Sequence, residues 1–298
     1  MRIKSLSFVE IIVNMLSFEP KELTTGKLHG YLLSAVAPRP IAFASTIDVD
    51  GNPNLSPFSF FNVFSANPPI LIFSPARRVR DNTTKHTLEN VETTKEVVIN
   101  VVNYDLVHQM SLSSTEYPEG VNEFEKAGLN MLQSDIVKPF RVAESPIQLE
   151  CKVNEIVKLG TEGGAGNLVI CEVVKLHISE GVLNEDQSIN QELLDLVARA
   201  GGSYYSRAKT GFFEIPKPIS TLGIGVDNVP EEIRNSTILT GNDLGMLGNV
   251  ENLPEEKSIQ AFKNEHNLSS LSTEIKHKKA KDFLSFNDIE SAWKMLLS

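Results

Sequence analysis

Apolar and polar positions alternate along much of the first two thirds of the chain, the period-two signature of strands with one buried face. Residues 41–47 are β-branched, aromatic and small, and they run into Asp48, Val49, Asp50, Gly51, Asn52 and Pro53, a cluster rich in turn formers. A second extended stretch opens at Asn54, so this region predicts a β-hairpin. Pro68 and Pro69 halt the chain, 70–74 resumes as a short buried strand, and 75–84 is a polar, basic loop. A helix is predicted over 85–92, with Thr83 or Thr84 as N-cap and Leu88 and Val91 on one face. A strand follows over 97–102. Two longer alternating runs, 147–157 and 168–178, flank the glycine-rich segment 160–167 and read as a second hairpin.

Short helices fit 122–127 and 191–199. Beyond Gly211 the composition turns to Pro, Gly and Asn; 276–281 is basic, and 288–297 is amphipathic with Ile289, Trp293 and Leu296 or Leu297 on one face. The expected fold is therefore mainly β with peripheral helices, its antiparallel sheet closed into a barrel because closure removes exposed edges. The expected organisation is an N-terminal segment 1–27, a main domain 28–210 and a C-terminal extension 211–298.

Composition narrows the function. The 298 residues carry 28 Lys plus Arg against 38 Asp plus Glu, a formal charge of −10, which argues against a nucleic-acid partner. No uninterrupted apolar run of about 20 residues occurs, so no membrane span is expected. Residues 8–18 resemble a secretory leader behind Arg2 and Lys4, but Glu10 interrupts them and no small-residue cleavage site follows, so a cleaved leader is not expected; a translation start at Met15 is the simpler reading of this segment. Cys151 and Cys171 lie in alternating apolar runs, which suits a reducing, cytoplasmic setting and leaves no disulfide framework. His29, His108 and His177 are scattered without ligand spacing, so no metal is expected.

Two segments carry candidate chemistry. In Ser56, Pro57, Phe58, Ser59, Phe60, Phe61 and Asn62, hydroxyls sit among aromatic rings, and Pro57 cannot donate to a ladder. An irregular backbone here would offer apolar faces and free main-chain groups to a flat heteroaromatic ring, or the segment is an aromatic core strand with a bulge. Further on, Arg77, Arg78, Arg80 and Lys85 face a single Asp81, with Thr83, Thr84 and Thr87 at the start of the predicted helix. Cationic forks, hydroxyls and free helix N–H groups are what a phosphate needs, although a basic run of this kind is also a common solvated loop. Together the two segments describe one ligand with a planar ring and a phosphate, and flavin mononucleotide (FMN) fits.

At this point the chain resembles the flavin reductase-like family with the FMN-binding split-barrel fold. Arg39-Pro40, Ala44-Ser45-Thr46, Gly51 and Asn54 are similar to the family's opening strand and turn, and residues 56–62 to its flavin loop. Lys85, Thr87 and Asn90 resemble its phosphate segment, with His86 standing where the family has Asp; Glu123-Phe124, Gly128-Leu129, Glu144-Ser145-Pro146, Leu149-Glu150-Cys151 and Gly201-Gly202 with Tyr204 complete the series. The resemblance covers roughly 28–205 and implies an antiparallel Greek-key split β-barrel and a homodimer with the flavin at its interface. It implies that 56–62 lie along the isoalloxazine, with Arg39, Ser45 and Thr46 nearby and Arg78, Lys85, His86 and Thr87 toward the phosphate. The chemistry implied is hydride transfer from NADH or NADPH to flavin, with onward transfer to free flavin, iron, oxygen or a protein partner.

A separate nicotinamide domain is not expected. Gly163-Gly164-Ala165-Gly166 leads into a strand rather than a helix, and Gly223-Ile224-Gly225 lacks the third glycine of a Rossmann turn. A nicotinamide would stack on the flavin, with Gly201, Gly202, Tyr204 and Tyr205 as a candidate wall. The alternatives are a flavin carrier or electron-transfer module without a nicotinamide site, and an interaction module in which the barrel is scaffold.

Overall fold

The structure, a computed structural model, describes residues 15–118, 120–215 and 222–298. Arg2, Lys4 and the leader-like 8–14 lie outside them. The chain divides into two compact units, Met1–Phe212 and Phe213–Ser298.

In the first unit the elements run α1 (Thr25–Ala35), β1 (Ala42–Ile47), β2 (Pro53–Phe58), β3 (Phe61–Ala66), β4 (Pro69–Phe73), α2 (His86–Thr94) and β5 (Glu96–Val101). They continue with α3 (Val107–Leu112), α4 (Glu123–Ala127), β6 (Met131–Leu132), β7 (Arg141–Val142), β8 (Ile147–Lys158) and β9 (Asn167–Ile178). The unit ends with α5 (Gln191–Leu194), β10 (Val197–Arg199) and β11 (Tyr205–Arg207). Seven strands form one antiparallel sheet in the order β2-β1-β5-β8-β9-β4-β3. The expected closure does not occur. β2 and β3 are the two edges of the sheet although only Ser59 and Phe60 separate them in sequence. The fold is a split barrel, and its slit falls at the aromatic segment.

β1 is buried at every position because a core lies against each face. Ala42 and Ala44 join Phe58, Phe73, Leu88, Val91 and both cysteines in one core. Phe43 joins Leu55, Leu106, Met110 and Phe124 in the other. Each such buried large side chain contributes roughly 1.5–3 kcal/mol of hydrophobic stabilisation.

Three local expectations are corrected. Helix α2 begins one residue later than predicted; its N-cap is Lys85, which makes no side-chain cap, and not Thr83 or Thr84. Pro57 does not disorder its strand: it pairs with Phe43 in regular register, tolerated because β2 is an edge. The predicted helix over 191–199 stops at Leu194, where Asp195 turns left-handed (φ 49°) and the chain enters β10.

The second unit is helical: α6 (Glu231–Arg234), α7 (Gly241–Gly248), α8 (Glu256–Glu265), α9 (Thr273–Ser285) and α10 (Ile289–Leu297). Trp293 centres its core, 1% exposed, with Nε1 donating to the Leu247 carbonyl at 3.1 Å. Among the described residues no helix is long and apolar enough to cross a membrane.

Candidate functional site

The β1–β2 register sets Thr46 opposite Asn54 and Ala44 opposite Ser56, all on the face that α2 covers. Asn54 Nδ2 donates to Thr87 Oγ1 (2.8 Å) and to Thr46 Oγ1 (3.2 Å), and Asn90 Nδ2 donates to Thr46 Oγ1 (3.0 Å). This buried network fixes the first turn of α2 on the sheet. Because Thr87 Oγ1 accepts from Asn54, its hydroxyl hydrogen is left to donate outward. The first N–H groups of α2 have no partner inside the helix and carry its positive end.

The basic loop meets this turn. Arg78, Lys85, His86, Thr87, Asn54 and Ser56 line one small cavity of about 30 Å³, completed by the segment 113–117 and Glu123. Arg78 is held by its own loop: Nη1 donates to Thr83 Oγ1 (2.8 Å) and to the Thr84 carbonyl (2.5 Å). The loop is pressed into place by the glycine-rich hairpin turn. Arg77 N donates to the Ala165 carbonyl (2.8 Å) and Gly164 N to the Arg77 carbonyl (2.9 Å). A Cβ on Gly163 would lie 3.0 Å from the Arg78 carbonyl oxygen, so this glycine permits the close backbone approach.

Two cations, Arg78 and Lys85, and two carboxylates, Glu116 and Glu123, line the cavity. Burial, followed by the nearby Arg78 guanidinium, pushes the Lys85 ammonium below the ordinary lysine value, against the opposing pull of Glu116 and Glu123. Two crowded cations with a free hydroxyl donor at a helix N-terminus fit the phosphate of FMN, because a dianion there relieves the repulsion and uses each donor. Glu123 is tied differently: its Oε2 accepts from Leu55 N at 3.0 Å, and burial pushes its carboxyl up.

The remaining residues singled out by sequence fall elsewhere. Phe58 is 6% exposed within the core, tilted against Phe73 at 5.4 Å, and so presents no open wall. Ser45 shares β1's opposite face with Phe43, and its Oγ is the single buried side-chain polar atom without a partner among the described residues. Arg39 is buried, donating from Nη1 to the carbonyls of Leu33 and Val36 (both 2.5 Å) and from Nη2 to that of Ala200 (3.3 Å), while Nε lies 3.5 Å from Ser59 Oγ. Phe60 is 39% exposed at the slit beside His29, and Asn62 Oδ1 accepts from Val63 N. The structure therefore brings Ser56, Thr46 and the residues of the basic segment together, with the buried Phe58 ring beneath Lys85, and places Ser45 on the opposite face of β1.

Sequence reading did not single out Asn54 as the anchor of Thr87, nor Glu116. Both are ordinary residues of a strand and a loop until the fold closes over them. A cluster of Asp135, Glu150 and His177 also went unread; their ligating atoms lie within 4.8 Å of one another. Glu150 is already satisfied: it accepts from the N–H groups of Asp135, Ile136 and Val137 (2.7–3.1 Å) and contacts His177 Nε2 at 2.7 Å. Asp135 pairs with Arg141 and Lys175. The trio ties a loop to the sheet.

Residues 34–201 match the family described as flavin reductase like domain. An uncharacterised protein of Aquifex aeolicus is 38% identical over 193 residues, covering 65% of this chain and 96% of its own length. Among solved structures, nitrilotriacetate monooxygenase component B from Bacillus cereus superposes with a TM-score of 0.62 at 28% identity, covering 68% of this chain and 98% of that one. A Shewanella frigidimarina protein with a split barrel domain superposes at 0.57 and 26% identity, over 68% of this chain and all of the other. By profile, sequence and architecture alike, the chain belongs to the flavin reductase-like family.

Proposed function

We propose that the chain binds FMN, with the phosphate on Arg78, Lys85, Thr87 and the start of α2, and uses it to accept hydride from NADH or NADPH. The observation that carries the reading is the cavity that joins Ser56 of the aromatic segment to Arg78, Lys85 and Thr87 of the basic segment. When bound, the flavin supplies two-electron chemistry that needs little proton machinery from the protein. This chain's residues do the holding. Lys85 and Arg78 neutralise the phosphate, Asn54 orients Thr87 toward it, and the slit at Ser59 and Phe60 gives the ring its edge contacts. Electrons would pass on to free flavin, iron, oxygen or a protein partner.

The flavin ring would lie where a second copy of the chain covers the slit. Support comes from edge strand β3, whose Val63 and Phe64 are 62% and 63% exposed, and from α1, which buries no residue and displays Tyr31 and Leu32, with Val36 exposed just after it. The two free, buried thiols suit a reducing, cytoplasmic setting.

The test is direct. FMN titration should show saturable binding, and anaerobic NADH or NADPH should bleach the bound flavin. Binding without bleaching by either nucleotide would leave a flavin carrier; no binding would remove the reading.

A further inference from the structure

We propose that Glu116 is an internal anion that holds the phosphate subsite closed, so that FMN enters by displacing it. The inference rests on the FMN reading above and adds its regulation. Glu116 lines the same cavity as Ser56, Lys85 and Thr87. Its Oε1 pairs with Arg78 Nε at 3.1 Å and its Oε2 with Arg80 Nη2 at 2.8 Å, so both carboxylate oxygens are spent on the loop's guanidinium groups. These pairs hold the carboxyl below its usual range, Arg80 most strongly. With Glu116 in this position its carboxylate stands in the cavity lining and occupies the Arg78 guanidinium that a phosphate would use.

The carboxylate is built to leave. Its side chain is half exposed, and among the described residues its hydrogen bonds are to the two arginines alone. The segment that carries it is anchored one turn earlier, where the Ser113 and Ser114 hydroxyls donate to the carbonyls of Met110 (2.9 Å) and Ser111 (2.6 Å). Partly exposed ion pairs of this kind are weak, whereas a phosphate dianion offers the same guanidinium groups twice the charge and an additional oxygen acceptor. Arg78 bonds Thr83 and Thr84 through Nη1 and Glu116 through Nε, so the bonds that hold the guanidinium to its own loop do not involve Glu116. Glu116 thus keeps the arginines neutralised whenever the flavin departs, which makes FMN an exchangeable ligand.

FMN and riboflavin are titrated by fluorescence quenching into the wild-type chain, Glu116→Gln and Glu116→Ala, with thermal melting as a check of folding. The expected result is FMN affinity raised roughly tenfold in both variants, with slower dissociation, and riboflavin affinity unchanged because it lacks the phosphate. FMN binding gained only by the variants would also support the proposal. Unchanged or weakened FMN binding in Glu116→Gln, or an equal gain for riboflavin, would overturn it while leaving the flavin reading intact. If neither wild type nor variant binds FMN, the flavin reading and this proposal fall together.

Discussion

The Lys85 ammonium lies 5.1 Å over the ring of Phe58. A core phenylalanine thereby fixes the height of a cation at the cavity, and the aromatic and basic segments act on each other within one chain. Lys85→Met keeps the stem over the ring and removes the charge. FMN affinity should fall about 10- to 100-fold, the value of one charged hydrogen bond, while riboflavin affinity holds. Parallel fluorescence titrations check this.

Asn54 reaches two threonines of different elements, so its loss acts on both stability and binding. Asn54→Ala should cost about 1–3 kcal/mol in urea denaturation, since Thr46 and Thr87 stay buried with fewer partners. FMN affinity should drop as well, because Thr87 loses its orientation.

Gly163 tests the supporting turn. Gly163→Ala places a methyl group against the carbonyls of Arg78 and Val79, both backbone atoms, so the basic loop must shift. Overpacking of this kind costs about 1–3 kcal/mol, and here part of it should appear as weaker FMN binding with little change in circular dichroism.

Glu150 sets an acid limit. Burial opposes its ionisation, but the N–H of Asp135, the His177 ring and the N–H groups of Ile136 and Val137 outweigh it and hold the carboxyl at about 2. The folded chain thus binds fewer protons than the unfolded one between that value and the ordinary carboxylate value of about 4.3. The stability it contributes is complete above the ordinary value and disappears as pH falls through about 2. Urea midpoints measured from pH 5 downward should fall in the wild type, and Glu150→Gln should be less stable at neutral pH with a flatter acid profile.

The second unit carries the chain's single tryptophan. Trp293→Ala should destabilise that unit by about 3–5 kcal/mol, measured by helical circular dichroism on heating. In the wild type, tryptophan emission should follow the unfolding of this unit alone.

Local pattern revealed most of the sheet. The two hairpins, β4, β5 and the terminal amphipathic helix are all written in alternation or helical spacing that tertiary packing leaves intact. What escaped was decided by partners distant in sequence. Whether β1 has one or two buried faces depends on helices 60 to 80 residues later, which is why Ser45 and Thr46, adjacent in sequence, part company in the fold. The residues proposed to hold the phosphate were legible as a cluster because cations and hydroxyls fall within eleven positions. Glu116 was not, since its role exists only where a loop from beyond β5 folds back on Arg78 and Arg80.

Cys151 and Cys171 are fully enclosed, and the neighbouring Cys171 sulfur together with burial pushes the Cys151 thiol up. A thiol that is both protonated and walled in reacts with an alkylating reagent only after the strands around it separate. Labelling kinetics therefore clock the opening of the barrel with no introduced probe.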